Sequence, residues 1–327
     1  MLNSLEYLNF SKYMVEAIKT ALRFNPSPNP RVGAVLVDEM NNIKKVAAHQ
    51  NKLSDHAEFS LFKDSEVSPE DTLYVTLEPC FHDDTSPSCA STVLETGIRS
   101  VVIGDLDRDE RTNGKGLELL KKNNIDVQIE KGINEFLNPG YKNINNKPYL
   151  IGKIATSGDN YIYNENQKFI SNKESREISH YLRATVDSII IGKNTLMIDQ
   201  PRLNVRLDDQ YQNPIPIVMW GDNTKDLQTF KNKFNNFLFY VENEEGSFNE
   251  YLLRNNIKTG LVEGGNKVLS YFFQHNYIDK FYMFRSNKKL ELGTKLDTNI
   301  PNFLHNGFQT SAEYQINDNL LSTYTIK

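Results

Sequence analysis

Two cysteines, Cys80 and Cys89, are all that the 327 residues contain. A disulfide framework is therefore excluded, and the thiols are left as a buried accident, a redox pair or metal ligands. No apolar run approaches the roughly 20 residues that a membrane span needs. Met1 to Phe10 lacks a basic stretch followed by an apolar one, so no signal peptide is read and a cytoplasmic location is expected. Basic excess is missing too: 37 Lys and Arg stand against 42 Asp and Glu, for a net charge of -5. A broad nucleic-acid-binding face is thereby excluded as the main function, while a local basic pocket for a small phosphorylated substrate is not. The chain has no internal repeat and no low-complexity tract. No Gly-x-Gly-x-x-Gly follows a strand, so no Rossmann fingerprint is available either.

What is present is strand–helix alternation. Hydrophobic residues make up 39% of the chain, enough for ordinary cores, and the length favours two domains. Ser11 to Leu22 carries Tyr13, Met14, Ala17, Ile18 and Ala21 at helical spacing and predicts an amphipathic helix. The stretch Asn25-Pro26-Ser27-Pro28-Asn29-Pro30 ends it. Val32 to Val37 reads as a buried strand, and His56 to Phe62 as a helix with Asp55 at its N-cap. Thr72 to Leu77, Ser100 to Ile103 and Asp126 to Ile129 are strands, with helices at Ala90 to Thr96 and Leu117 to Asn123. Lys142 to Pro148 is polar and turn-rich, dividing a domain at 1–145 from one at 146–327. Strands then recur at Tyr149 to Ala155, Ser188 to Gly192, Ile215 to Met219 and Thr259 to Glu263, with helices at Ser171 to Arg183 and Lys267 to His275. Such alternation implies a layered α/β fold with some parallel pairing in both halves.

The chemistry concentrates in His56-Ala57-Glu58, Pro79-Cys80 and Cys89. One imidazole and two thiolates suit zinc, and three protein ligands leave a fourth tetrahedral position open, the catalytic arrangement. Zinc lowers the pKa of a bound water to roughly 7. Glu58, near a helix start, can then carry the proton without being a ligand, which is the pattern of hydrolytic zinc deaminases. A structural zinc would want a fourth ligand. His82 lies in the loop between the cysteines, where a substrate or outer-sphere role suits it better.

These segments resemble the bifunctional riboflavin-biosynthesis family, in which a diaminohydroxyphosphoribosylaminopyrimidine deaminase is joined to a 5-amino-6-(5-phosphoribosylamino)uracil reductase. The resemblance rests on Ser27-Pro28-Asn29-Pro30-Arg31-Val32-Gly33-Ala34-Val35, His56-Ala57-Glu58, Thr76-Leu77-Glu78-Pro79-Cys80, Pro87 and Cys89, and Gly114-x-Gly116. The long insert Phe81 to Ser88 separates this family from other zinc deaminases, whose second cysteine usually follows two residues after the first. The resemblance implies a cytidine-deaminase-like three-layer sandwich, with Asn29 as a substrate contact and His49 as a pocket histidine.

In the second half, Gly264-Gly265 lies between a strand and a helix, where backbone N–H groups and the helix dipole can hold a phosphate. A tight turn is the plainer reading. Arg183, Arg202 and Arg206 form a candidate cluster for a substrate phosphate. Lys153 to Asp159, the Leu182-Arg183 pair, Gly192-x-x-Thr195, Asp199-x-Pro201-x-Leu203-x-Val205-Arg206 and Val262-Glu263-Gly264-Gly265 resemble the same family's reductase domain, which has a dihydrofolate-reductase-like fold. That implies NADPH contacts from Ala155, Phe169, Thr195, Asp199, Gly265, Asn266 and Lys267, and substrate contacts from Gln167, Arg183, Leu203, Arg206 and Glu263.

The expected protein is thus a zinc hydrolase and NADPH oxidoreductase of riboflavin biosynthesis. Its expected ligands are one Zn2+ per chain, NADPH and a phosphorylated pyrimidine, with no nucleic acid and no membrane, and it is expected to form a homo-oligomer, dimer or tetramer. Several loops depart from the family pattern. Asp84, Thr85 and Ser88 stand where a glycine, a basic residue and a proline are usual. Asp107-Arg108-Asp109-Glu110 replaces Asp-Pro-Asn-Pro, Leu53-Ser54-Asp55 replaces glycines, Asn160 replaces a glycine and Phe169 a tryptophan. The alternative is a divergent deaminase acting on a related pyrimidine or a nucleic-acid base, with a weakened or regulatory second domain.

Overall fold

The computed structural model describes residues 2–82, 87–141, 147–167, 169–207, 211–222 and 224–327. The expected boundary between 145 and 146, and Asp84 and Thr85 of the insert, lie outside the described residues. The chain divides into two compact units, one taking in 1–142 and 210–212, the other 143–209 and 213–327.

In the first unit Ser11 caps α1 (Lys12–Leu22), its Oγ accepting from the Met14 N–H at 3.4 Å. Strands β1 (Gly33–Val37), β2 (Ile43–Ala48), β3 (Thr72–Val75), β4 (Ser100–Ile103) and β5 (Asp126–Ile129) form one sheet in the order β2-β1-β3-β4-β5. β1 runs antiparallel to β2 and β3, while β3, β4 and β5 are parallel. Every residue of β1 is buried, because both faces of the sheet are covered. α1 packs on one face. On the other, α2 (Ala57–Phe62), α3 (Cys89–Glu95) and α4 (Lys115–Lys122) set Ala57, Leu61, Val93 and Leu120 against Ala34, Leu36, Leu73 and Val75. The short α5 (Ile133–Leu137) adjoins α1. This is the three-layer α/β sandwich.

Two of the differences from expectation have a plain physical reason. His56, not Asp55, is the N-cap of α2: its backbone is extended (φ -64°, ψ 160°), and no side chain closes the cap. Asp55 sits one residue too early and gives its carbonyl to His49 instead. β2 has no counterpart in the sequence reading, because Lys44 and Lys45 interrupt its apolar pattern. It is an edge strand, where lysines discourage further pairing.

The second unit is built on eight strands in the order β10-β9-β8-β11-β6-β12-β15-β14. In chain order its elements are β6 (Tyr149–Thr156), β7 (Tyr161–Tyr163), α6 (Lys173–Thr185), β8 (Ser188–Gly192), α7 (Lys193–Asp199), β9 (Ile215–Met219), α8 (Leu227–Lys233) and β10 (Leu238–Tyr240). Then come α9 (Glu242–Glu245), α10 (Phe248–Arg254), β11 (Thr259–Val262), α11 (Asn266–Gln274), β12 (Ile278–Ser286), β13 (Thr294–Lys295), α12 (Asn299–Gly307), β14 (Phe308–Ile316) and β15 (Asn319–Ile326). β10 through β12 are parallel neighbours, and β15 and β14 close the sheet antiparallel. Strand alternation splits the core in two. Ile190 and Ile217 face Phe248, Leu269 and Phe272, whereas Ile189, Ile191 and Val218 face Leu196, Trp220 and Leu227.

Candidate active sites

His56, Cys80 and Cys89 reach one point from three elements of the first unit: the start of α2, the loop after β3, and the first residue of α3. His56 Nδ1 lies 3.2 Å from Cys89 Sγ and 3.6 Å from Cys80 Sγ. Zn–N and Zn–S bonds meeting at a tetrahedral angle would set such a nitrogen and sulfur about 3.6 Å apart. All three donor atoms fall within 4.8 Å of one another, and no fourth His, Cys, Asp or Glu among the described residues joins them. The set fits zinc with an open position. His82 is not part of it, and its Nδ1 instead meets Thr112 Oγ1 at 3.3 Å. The amide of Cys89 donates to Cys80 Sγ at 3.3 Å. Hydrogen bonding from Cys89 holds the Cys80 thiol well below its ordinary value, with His56 helping against burial. The same pairing, then burial, raises Cys89.

Glu58 is buried in the first turn of α2, and burial pushes its carboxyl up to about 7 against the opposing pull of His56. A group near neutrality is suited to take a proton and return it. Glu58 lines a cavity of about 380 Å³ with His56, Cys80, Asn29 and His49. The buried His49 ring stands 5.2 Å from the His56 ring. Its Nδ1 lies 3.1 Å from the Asp55 carbonyl, which can only accept, so that nitrogen carries the proton. Its Nε2 then accepts from the Asn29 amide at 3.1 Å. Burial first of all keeps this ring neutral.

The floor of the cavity depends on a residue that the sequence reading quoted only as part of a motif. Glu78 is buried, and its carboxylate accepts from the N–H groups of Asp107, Gly114 and Leu117, each at 3.0 Å. It thereby ties the 107–117 segment to the strand end that leads into Cys80. Gly116 is required there, since a Cβ would overlap the Pro79 carbonyl oxygen. Asp107, Asp109, Arg111 and Tyr141 also line the cavity, with Arg111 paired to Asp109 at 2.8 Å.

The second unit holds a cavity of about 910 Å³ along the carboxyl ends of β6, β11, β8, β9 and β10. Open parallel sheets present ligand sites at that edge. Ala155, Thr195, Asp199, Gly265, Asn266 and Lys267 all line it, as does Glu263. Gly264 and Gly265 lead into α11, and a Cβ on Gly264 would collide with the Val268 side chain. The reading from sequence missed Lys153, Lys193 and Trp220 on the same wall. Their signal was available, because each stands in or just after a parallel strand near its carboxyl end.

Other predicted residues lie off the wall. Leu203 is buried in the core with Leu196 and Trp220. Phe169 is 50% exposed, with the Arg176 guanidinium 4.3 Å from its ring centre, and the Gln167 amide donates to the Phe169 carbonyl at 3.3 Å. Arg183 is not a free phosphate clamp. Its Nε and Nη2 donate to the two oxygens of Glu263 at 2.8 and 2.9 Å, and its Nη1 to the Asn204 carbonyl at 3.0 Å. Lys153 Nζ lies 3.5 Å from Glu263 Oε2. Burial alone would raise Glu263, but Lys153 and Arg183 outweigh it and hold the carboxyl below its ordinary range.

Residues 9–105 match the cytidine and deoxycytidylate deaminase zinc-binding region, and residues 148–286 match the RibD C-terminal domain. The chain is 30% identical over 305 residues to the riboflavin biosynthesis protein RibD of Aquifex aeolicus, covering 82% of this chain and 84% of that one. Against RibD of Escherichia coli it is 32% identical over 222 residues, covering 62% of this chain and 59% of that one. Among solved structures, a diaminohydroxyphosphoribosylaminopyrimidine deaminase/5-amino-6-(5-phosphoribosylamino)uracil reductase from Thermotoga maritima superposes with a TM-score of 0.65 at 25% identity, covering 99% of both chains.

Proposed function

Since the chain belongs to the RibD family and is a bifunctional zinc deaminase and reductase of riboflavin biosynthesis, we propose the substrates and residues through which it works. The first unit deaminates the diaminohydroxyphosphoribosylaminopyrimidine, and the second reduces 5-amino-6-(5-phosphoribosylamino)uracil with NADPH. The comparisons do not favour a nucleic-acid-editing enzyme or a chain with an idle second domain.

His56, Cys80 and Cys89 hold one zinc, which supplies the Lewis acid that makes water nucleophilic at neutral pH. Glu58 carries one proton from the attacking water to the ring nitrogen and then the second, from the hydroxyl so added to the pyrimidine carbon, to the departing ammonia. Asn29, steadied by His49, orients the pyrimidine. In the second unit the nicotinamide supplies the hydride and the protein supplies orientation and charge. The N–H groups at the start of α11 hold the cofactor pyrophosphate. Ala155, Thr195, Asp199, Asn266 and Lys267 form its berth. Glu263, anchored by Arg183 and Lys153, faces the ribosyl group, and Arg206 meets the phosphate. No step is assigned to Gln167, Phe169 or Leu203. A homo-oligomer, dimer or tetramer, is carried forward from the family resemblance.

The observation that carries this reading is the tetrahedral spacing of His56, Cys80 and Cys89 beside the buried Glu58. Purified protein given the diaminopyrimidine ribosylphosphate with NADPH or NADH tests it. Ammonia release, followed by faster cofactor oxidation with NADPH and a product two hydrogens heavier, is the expected result. Ammonia without cofactor oxidation would remove the reductase half.

A further inference from the structure

Beside the second cavity, positive charge exceeds negative. Arg183 on α6, Arg206 in the segment after α7 and Lys153 on β6 gather around one carboxylate, Glu263, and Arg202 adds its charge beside Arg206. Arg183 is committed to Glu263 and Asn204. Arg206 is not: its Nη1 meets Asn204 Oδ1 at 3.2 Å, and its Nε and Nη2 have no partner among the described residues. His180, one turn before Arg183, accepts the Arg206 backbone N–H on Nδ1 at 3.3 Å. A nitrogen that accepts carries no proton, so the ring's hydrogen is on Nε2. That N–H also has no partner among the described residues. Two neighbouring sets of unpaired donors, in a region of net positive charge, ask for an anion with several acceptor oxygens.

We propose that His180 is a specificity-determining ligand of the reductase, its Nε2–H completing with the free edge of Arg206 the seat of the substrate's phosphate monoester. The proposal rests on the reading of the second unit as a reductase of a ribosyl phosphate. It explains why a neutral imidazole stands where a fourth arginine, beside Arg183, Arg202 and Arg206, would add repulsion. In the free protein, burial and then Arg183 and Arg206 push His180 down to about 4, against the pull of Glu263 and with Lys153 also repelling the proton. The ring is therefore neutral and adds no further repulsion.

The test uses the full chain and two variants, His180→Ala and His180→Gln, with substrates that do and do not carry the 5′-phosphate. His180→Ala should raise KM for the phosphorylated substrate about tenfold and change kcat and the phosphate-free KM by less than about twofold. His180→Gln, which keeps an N–H donor, should fall between. An unchanged ratio of the two KM values in all three proteins would overturn the proposal. Calorimetry with ribose 5-phosphate separates this site from the assigned activity. If the wild type binds the probe through His180 but reduces no pyrimidine, the reading of the reaction fails and the phosphate site stands. If the wild type reduces the pyrimidine and His180→Ala binds the probe equally well, the site fails and the reaction stands.

Discussion

A carboxylate two residues from a metal ligand can serve the water without joining the metal if a helix begins between them. His56 is the extended N-cap and Glu58 the second helical residue, and the turn between them points the two side chains differently. Cys80→Ser and Cys89→Ser should therefore each lose zinc and deamination together, as read by metal analysis and ammonia release. Full zinc retention in both would refute the ligand set. Glu58→Gln should keep its zinc while deamination falls by at least about a hundredfold. In the other unit, Lys153 and Arg183 hold the folded-state value of Glu263 below its usual 4.5. Its contribution to stability is then whole above the ordinary carboxylate range and is lost as pH falls through the depressed value. Glu263→Gln should flatten that acid limb and cost about 3–5 kcal/mol, because two cations lose a buried partner. Thermal melts across acidic pH measure both effects.

At the level of elements, two buried devices position chemistry they do not touch. Glu78 satisfies three backbone N–H groups, and Glu78→Ala would orphan them at about 1–3 kcal/mol apiece. The first unit should melt earlier and deaminate poorly, with reduction nearly unaffected. Gly264→Ala drives a methyl into Val268 and displaces the start of α11, so cofactor affinity should drop more than about tenfold. A titration of cofactor binding decides it. The strands and helices that carry these devices were largely legible, because continuous apolar runs such as Ser188–Gly192 mark parallel strands. β14 was not, since its residues are mostly exposed and chosen by an edge position. The clustering of His56, Cys80 and Cys89 was legible because a zinc site calls for those residue types. The Arg183–Glu263 pairing was not, because 80 residues separate its partners and only the sheet brings them together.

For the whole molecule, the residues of each chemistry lie within one compact unit. Arg206→Ala should lower reductase efficiency about ten- to a hundredfold by removing one charge-assisted contact, with zinc content and deamination preserved. Equal loss of both activities in a folded variant would make the second unit part of the deaminase. Among the described residues, no helix is long and apolar enough to cross a membrane. The entire chain has one tryptophan, and it sits on the wall of the reductase cavity with the Lys193 ammonium 4.2 Å from its ring centre. Indole emission overlaps the absorption band of a reduced nicotinamide. The intact protein should therefore dim when the reduced dinucleotide arrives and brighten again on turnover, while filling the deaminase pocket leaves the signal steady. Its own ultraviolet fluorescence is thus a clock for one of its two reactions, with no label attached.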